Sequence, residues 1–226
     1  MSDDRVTPGD GVTAAAAPRW PVVLFDFDGT LADSVDLIMA SFRAALGESV
    51  PQAELLSWIG RPLRLLMEEV RPGESEATMA TYRDFYRKHH DELIRPVPGV
   101  PELLRALAGA GVRIGVVSSK RADFIELGLA ALDMMGSVDI LASQDDTPLH
   151  KPHPDPLLLA ARRLAVEPAE CVYVGDAVVD IQAGRAAGMG TVGVTWGAGT
   201  RTALLAAGPS AVADDVPELA SVLLPA

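Results

Sequence analysis

Short, uninterrupted apolar runs alternate along this chain with segments whose apolar residues recur every three or four positions. The runs Val22–Phe27, Val112–Ser118, Val138–Ala142, Cys171–Gly175 and Thr191–Thr195 predict strands buried on both faces. Val212 and its neighbours predict one more short strand. Between most of them lie helical patterns: Val100–Ala110, Ala122–Ala131, Pro156–Leu164 and Ile181–Ala187. Strands alternating with helices call for a parallel sheet covered on both faces, an α/β fold. The rhythm fails after the first strand. Residues 35–94 hold no strand pattern but several helical ones: Val35, Ile38, Met39, Phe42 and Leu46 in one, then Ala53–Ile59, Leu63–Val70 and Glu76–Leu93. Arg95-Pro96-Val97-Pro98-Gly99 then breaks helix strongly. The pattern predicts an α-helical cap domain over residues 34–97, inserted into a core made of 20–33 and 98–226.

The strand ends carry the polar residues that matter. Asp26 and Asp28 close the first apolar run, and residues two apart on a strand point the same way. Two acids beside a buried strand are costly unless a cation or a shared proton compensates them. Asp28-Gly29 also suits a hairpin turn, but the helical pattern from Val35 shows the chain leaving a strand for a helix. Ligands in open α/β sheets sit at such ends. Ser118 and Ser119 end the second strand, where hydroxyls could donate to a phosphate or cap the following helix. Lys151, in His150-Lys151-Pro152-His153-Pro154, is presented from a loop stiffened by proline and could neutralise a phosphoryl group and its neighbouring carboxylates. His150 and His153 lack a third ligand nearby and read as solvent-exposed. Asp176 follows the strand ending at Gly175, and Asp180 lies one helical turn later. Asp176 could cap that helix, but four acids at one sheet edge would demand a cation, and all-oxygen ligation favours Mg²⁺ over zinc.

Composition narrows the class of partner. The 226 residues are 49% hydrophobic and 22% charged, with a net charge of −12. That balance fits a soluble globular protein and argues against a general nucleic-acid or acidic-membrane binder, which needs a basic surface. A small phosphorylated substrate needs only a local positive pocket. The single Cys171 lies in an apolar strand and reads as a core residue, in keeping with a cytoplasmic location. Residues 1–19 mix Asp, Gly, Pro, Thr and Ala without an apolar core, predicting a disordered tail and no secretory signal. No stretch reaches the roughly 18 consecutive apolar residues of a membrane helix.

Asp26-Phe27-Asp28-Gly29-Thr30, the strand-end Ser118, Lys151-Pro152 and Gly175-Asp176 with Asp180 occur in the order used by the haloacid dehalogenase-like hydrolases, which residues 21–226 resemble. The resemblance implies a Rossmann-like core with a helical cap and an Mg²⁺-dependent phosphohydrolase. In it Asp26 is the nucleophile, forming an aspartyl phosphate, and Asp28 the general acid and then base. Mg²⁺ is held by the Asp26 carboxylate, the Asp28 backbone carbonyl and Asp176, with Asp180 ligating or orienting the shell. Thr30, Ser118, Ser119 and Lys151 serve phosphate binding. Dehalogenase relatives lack the second acid, so Asp28 favours phosphoryl transfer. Ser119 stands where many relatives carry Asn, and Ala177 where they often have Ser or Asn. The stretches Trp58–Leu63 and Tyr82–Leu93 are similar to the cap of bacterial pyrophosphatases, with phosphoglycolate phosphatases as the alternative. Pyrophosphate is compact and highly charged, so Arg61, Arg64 and Lys120 are candidate substrate cations; Arg83 and Arg87 are expected to pair with nearby acids such as Asp84 and Asp91. A phosphomutase, or a phosphate-binding regulator without turnover, is the remaining alternative.

Overall fold

The computed structural model describes residues 19–224; the expected tail lies almost wholly outside them. In chain order the elements begin with strand β1 (Val22–Phe25), the two-residue strand β2 (Ala32–Asp33) and helices α1 (Val35–Leu46), α2 (Gln52–Ser57), α3 (Leu63–Val70) and α4 (Ser75–Leu93). The two-residue strand β3 (Arg95–Pro96), α5 (Val100–Gly109), β4 (Arg113–Val117), α6 (Ala122–Ala131), β5 (Ile140–Ala142) and α7 (Asp155–Leu164) follow. Strand β6 (Cys171–Gly175), α8 (Val178–Ala186), β7 (Gly190–Val194), α9 (Arg201–Ala206), β8 (Ala211–Ala213) and α10 (Val216–Leu223) complete the chain.

Six strands form one parallel sheet in the order β5-β4-β1-β6-β7-β8. The chain builds outward from β1 to one side through β4 and β5, then returns to build the other side from β6. The reversal beside β1 opens a crevice at the carboxyl ends of the strands, the ligand position of open α/β sheets. Val22, Val23, Leu24 and Phe25 are all buried, because helices cover both faces. That is why the strands read as continuous apolar runs with no alternation.

Strand β1 is two residues shorter than its apolar run. Phe27 already belongs to a tight turn in which Thr30, Leu31 and Ala32 all donate backbone hydrogen bonds to its carbonyl. Helix α8 begins three residues before the apolar pattern, at Val178, because Asp180 closes its first turn. Strands β2 and β3, which hydrophobic patterning did not reveal, pair antiparallel on either side of the helical insertion. They are too short for any periodicity to mark. They bring the two chain crossings together, so helices α1 to α4 leave and rejoin the core at one point. Helix α1 packs along α4 through Phe42 and Tyr82, whose ring centroids are 5.1 Å apart. Phe42 also meets Trp58 edge-on.

Candidate active site

The crevice floor is built from the residues that follow the central strands. The Asp26 amide donates to Val174 O at 2.9 Å, continuing the β1–β6 ladder one residue past the strand. The Ser118 amide likewise donates to Ala142 O at 3.0 Å. Asp26, Ser118 and Asp176 therefore emerge side by side from β1, β4 and β6. Asp180 joins them from the first turn of α8, where its Oδ2 accepts from the Ala177 amide at 2.9 Å. The helix cap is thus made by Asp180, leaving Asp176 free of the capping role open to it in the sequence.

Lys151 is buried, against the usual habit of lysine, and its ammonium lies 3.0 Å from Asp26 Oδ2 and 2.7 Å from Asp180 Oδ1. It also donates to the Tyr173 hydroxyl at 2.9 Å, which in turn donates to Val117 O at 2.7 Å. Every proton of this buried cation has a place to go. The adjacent carboxylates push its pKa well above the ordinary lysine value despite its burial, so it stays charged.

One lysine does not neutralise the acids. Asp26, Asp176 and Asp180 each offer an oxygen, all within 4.8 Å of one another. Burial, reinforced by the charges of Asp180 and Asp28, raises Asp26 to about 6 even beside Lys151. Burial, then the charges of Asp180 and Asp26, raises Asp176 to about 8. Such a set either holds protons or exchanges them for a cation, and three carboxylates with no nitrogen or sulfur donor suit a hard divalent ion. The residues present fit a divalent metal.

Asp28 is engaged differently. Its carboxylate accepts from Ser34 Oγ at 2.6 Å and from Lys120 Nζ at 2.6 and 2.7 Å. Its side chain stands outside the metal-competent group, so only its backbone carbonyl remains for the ligand role implied by the family resemblance. Lys120 also donates to the Tyr86 hydroxyl of α4 at 3.1 Å, tying this end of the floor to the helical insertion. Ser119 is buried, and its hydroxyl has no hydrogen-bond partner among the described residues. Thr30 turns its hydroxyl to Asp176 Oδ1 at 3.3 Å.

Several site residues escaped the sequence reading. The loop after β7 folds over Asp176, and the Ala198 amide donates to Asp176 Oδ2 at 2.7 Å. A Cβ on Gly197 would stand 2.2 Å from the same oxygen, so only glycine lets the loop approach so closely. Gly29, at φ +73°, serves the other flank, where a Cβ would lie 2.5 Å from Asp176 Oδ2. The available signal was Gly197-Ala198-Gly199 directly after an apolar strand. Tyr173 and Ser34 gave no signal, since each is ordinary in its own segment.

Above the floor lies a cavity of about 70 Å³ walled by Ile38, Phe42, Trp58, Tyr82, Tyr86 and Phe124, with Asp26, Asp28, Ser118 and Lys120 at its base. Arg61 reaches its rim but is ion-paired with Glu69, and Arg64 pairs with Glu68 at 3.0 Å. The expected pairing of Arg87 with neighbours on its own helix is not what forms. Arg87 reaches across to Asp123 on α6 at 2.9 Å, where its guanidinium also lies over the Phe124 ring of the same helix. Arg83 pairs with neither Asp84 nor Asp91 and instead lines the cavity. His153 is exposed as expected; His150 is half-buried.

The sequence profile of the haloacid dehalogenase-like hydrolase family matches residues 23–194. Pyrophosphatase PpaX of Bacillus velezensis is 34% identical over 200 residues, covering 87% of this chain and 86% of that protein. Pyrophosphatase PpaX of Bacillus cereus strain G9842 is 34% identical over 209 residues, covering 91% and 97%. Among solved structures, a Bacteroides fragilis protein assigned as a haloacid dehalogenase-like hydrolase superposes with a TM-score of 0.83 at 29% identity, covering 89% of this chain and 100% of that one. A Lactobacillus plantarum protein assigned as a phosphoglycolate phosphatase gives 0.80 at 26%, covering 90% and 99%. With this match added to its central nucleophile candidate and buried acidic cluster, the chain belongs to the haloacid dehalogenase-like hydrolases, among their phosphatases.

Proposed function

We propose that this protein is an Mg²⁺-dependent phosphohydrolase that works through an aspartyl-phosphate intermediate and acts on inorganic pyrophosphate. The observation that carries the chemistry is the position of Asp26. It is the central carboxylate of the crevice, at hydrogen-bond distance from a buried lysine and beside two further buried acids. A carboxylate in that place can attack phosphorus once cations suppress its repulsion from the phosphate.

In this reading an Asp26 oxygen attacks the phosphoryl group as the bond to the leaving oxygen breaks, and Asp28 gives that oxygen a proton. Asp28 then takes a proton from water, the water oxygen attacks phosphorus, and the bond to Asp26 breaks to release phosphate. Ser34 and Lys120 hold the Asp28 carboxylate in place. Lys151 and the hydroxyls of Ser118 and Ser119 receive the phosphoryl oxygens, the unpartnered Ser119 hydroxyl being free to donate. Thr30 and the Ala198 amide orient Asp176. Arg61 joins from the rim by exchanging Glu69 for substrate. A divalent cation held by Asp26, Asp176 and Asp180, with the Asp28 carbonyl, would neutralise charge on the transferring group. Helices within residues 34–97 act as a cap that admits substrate and then excludes water.

The pyrophosphatase relatives support pyrophosphate. The apolar cavity wall favours a second reading, a small organic phosphate ester such as 2-phosphoglycolate, whose carbon skeleton that wall could cover. The test is phosphate release with Mg²⁺, comparing kcat/KM for the two compounds, with Asp26→Asn as control. Asp26→Asn is expected to lower kcat by about 10³-fold or more; residual activity within tenfold of wild type would sink the nucleophile assignment. A preference for phosphoglycolate would replace the pyrophosphate reading and keep the mechanism.

A further inference from the structure

Four cationic side chains line the cavity: Arg61, Arg83, Lys120 and Arg121. Three already have carboxylate partners, in Glu69, Asp28 and Asp123. Arg83 has none among the described residues. Its Nε is buried without any hydrogen-bond partner, and one terminal nitrogen rests 3.6 Å from the Met79 sulfur, a weak acceptor. A buried donor left unmade costs free energy. Arg83 precedes Tyr86 by three residues on α4, so the two face the same way. Tyr86 and its neighbour Tyr82 both line the cavity. The remaining wall near them, Ile38, Phe42, Trp58 and Ile59, offers few polar groups. An anion entering this space would find one free, forked donor.

We infer that Arg83 is the specificity-determining residue that anchors a second anionic group of the substrate, while the reacting phosphoryl group sits on the floor at Asp26. The group is an outer phosphate or a carboxylate, and a planar guanidinium suits either through paired hydrogen bonds. This rests on the phosphohydrolase reading above and adds the chemical class of the substrate: a small phosphate compound with two anionic ends. It also explains why the wall can be largely apolar. One half-buried cation gives the selectivity, and the rest of the wall excludes water around it.

The experiment compares wild type, Arg83→Met and Arg83→Lys on pyrophosphate, 2-phosphoglycolate and 2-hydroxyethyl phosphate, which keeps the phosphate and lacks the second anion. Arg83→Met is expected to raise KM for the two-ended compounds by about tenfold or more, with a much smaller change for hydroxyethyl phosphate and little change in kcat. Arg83→Lys should recover part of the loss. The compound more affected identifies the second anion as phosphate or carboxylate. Equal losses on all three substrates would overturn the inference. Binding gives an independent readout: in an Asp26→Asn background, calorimetry with methylenediphosphonate and methylphosphonate should show a preference for the former that disappears with Arg83→Met. That preference persisting would overturn the anchor role. If wild type released phosphate from none of the three compounds but the binding preference depended on Arg83, the hydrolase reading would fail and the anchor would stand.

Discussion

The floor and the wall of the cavity handle charge in opposite ways. On the floor, the Lys151–Asp180 pair has side chains 1% and 0% exposed, and each ionised group is met by another or by a backbone donor. On the helical side that carries the wall, the Arg61–Glu69 pair at the rim and the Arg64–Glu68 pair beyond it lie with side chains between 40% and 63% exposed. The same kind of ion pair has different consequences in the two places. Exposed pairs contribute about 0–1 kcal/mol, whereas removing one partner from a buried pair costs about 3–5 kcal/mol. Charges on the floor are therefore bound to the fold and, in the proposed mechanism, to the reaction as well. Those on the wall can change with little penalty, in keeping with the substrate-selecting role proposed for it.

Lys151→Met offers the hardest test of that contrast. It leaves Asp26 and Asp180 facing each other without their shared cation, and is expected to cost about 3–5 kcal/mol in urea unfolding and to abolish turnover. A loss below about 1 kcal/mol would put the floor in the same class as the wall. Next comes the pH dependence of stability without divalent metal. Folded Asp26 and Asp176 have raised pKa values, about 6 and about 8, so the native state holds protons that the unfolded chain gives up near 3.8. The resulting stability is complete below that value and is lost as pH rises toward 8, by up to about 1.4 kcal/mol per pH unit for each carboxylate. Saturating Mg²⁺ should flatten the slope. A metal-free protein that gains stability between pH 5 and 8 would contradict the electrostatic account of the floor. On the wall, Arg61→Ala is expected to change stability by less than about 1 kcal/mol and to lower kcat/KM only about threefold. A loss as large as that of Lys151→Met would move Arg61 from the rim into the reaction.

Much of the candidate site's geometry was legible because its residues sit at strand ends. Asp26, Ser118 and Asp176 each follow an apolar run of a parallel strand, and adjacent parallel strands deliver their carboxyl ends to one edge. Lys151 was legible only in company with them, since a lysine in a loop gives no local sign of burial. Thr30 was assigned to phosphate binding by the motif it completes, yet its hydroxyl turns to Asp176. Tyr173 lies in the middle of β6, where an aromatic residue needs no explanation. Its hydroxyl becomes meaningful only when Lys151 arrives from 22 residues earlier. The partners of Arg83 and Arg87 were misjudged because helical spacing measures neighbours along one helix, while Asp123 comes from another part of the chain.

Local pattern determined the order of strands and helices, the parallel sheet, the helical insertion and the strand-end acids, because apolar periodicity and chain punctuation are properties of contiguous residues. Tertiary structure decided which charges meet. It bent the Gly197–Gly199 loop onto Asp176, turned Asp28 toward Lys120 and Ser34, paired Arg87 with Asp123, and left Arg83 without an anion among the described residues. Each of those outcomes depends on distances between segments far apart in the chain, and electrostatic energy follows distance and burial, which a linear pattern does not encode.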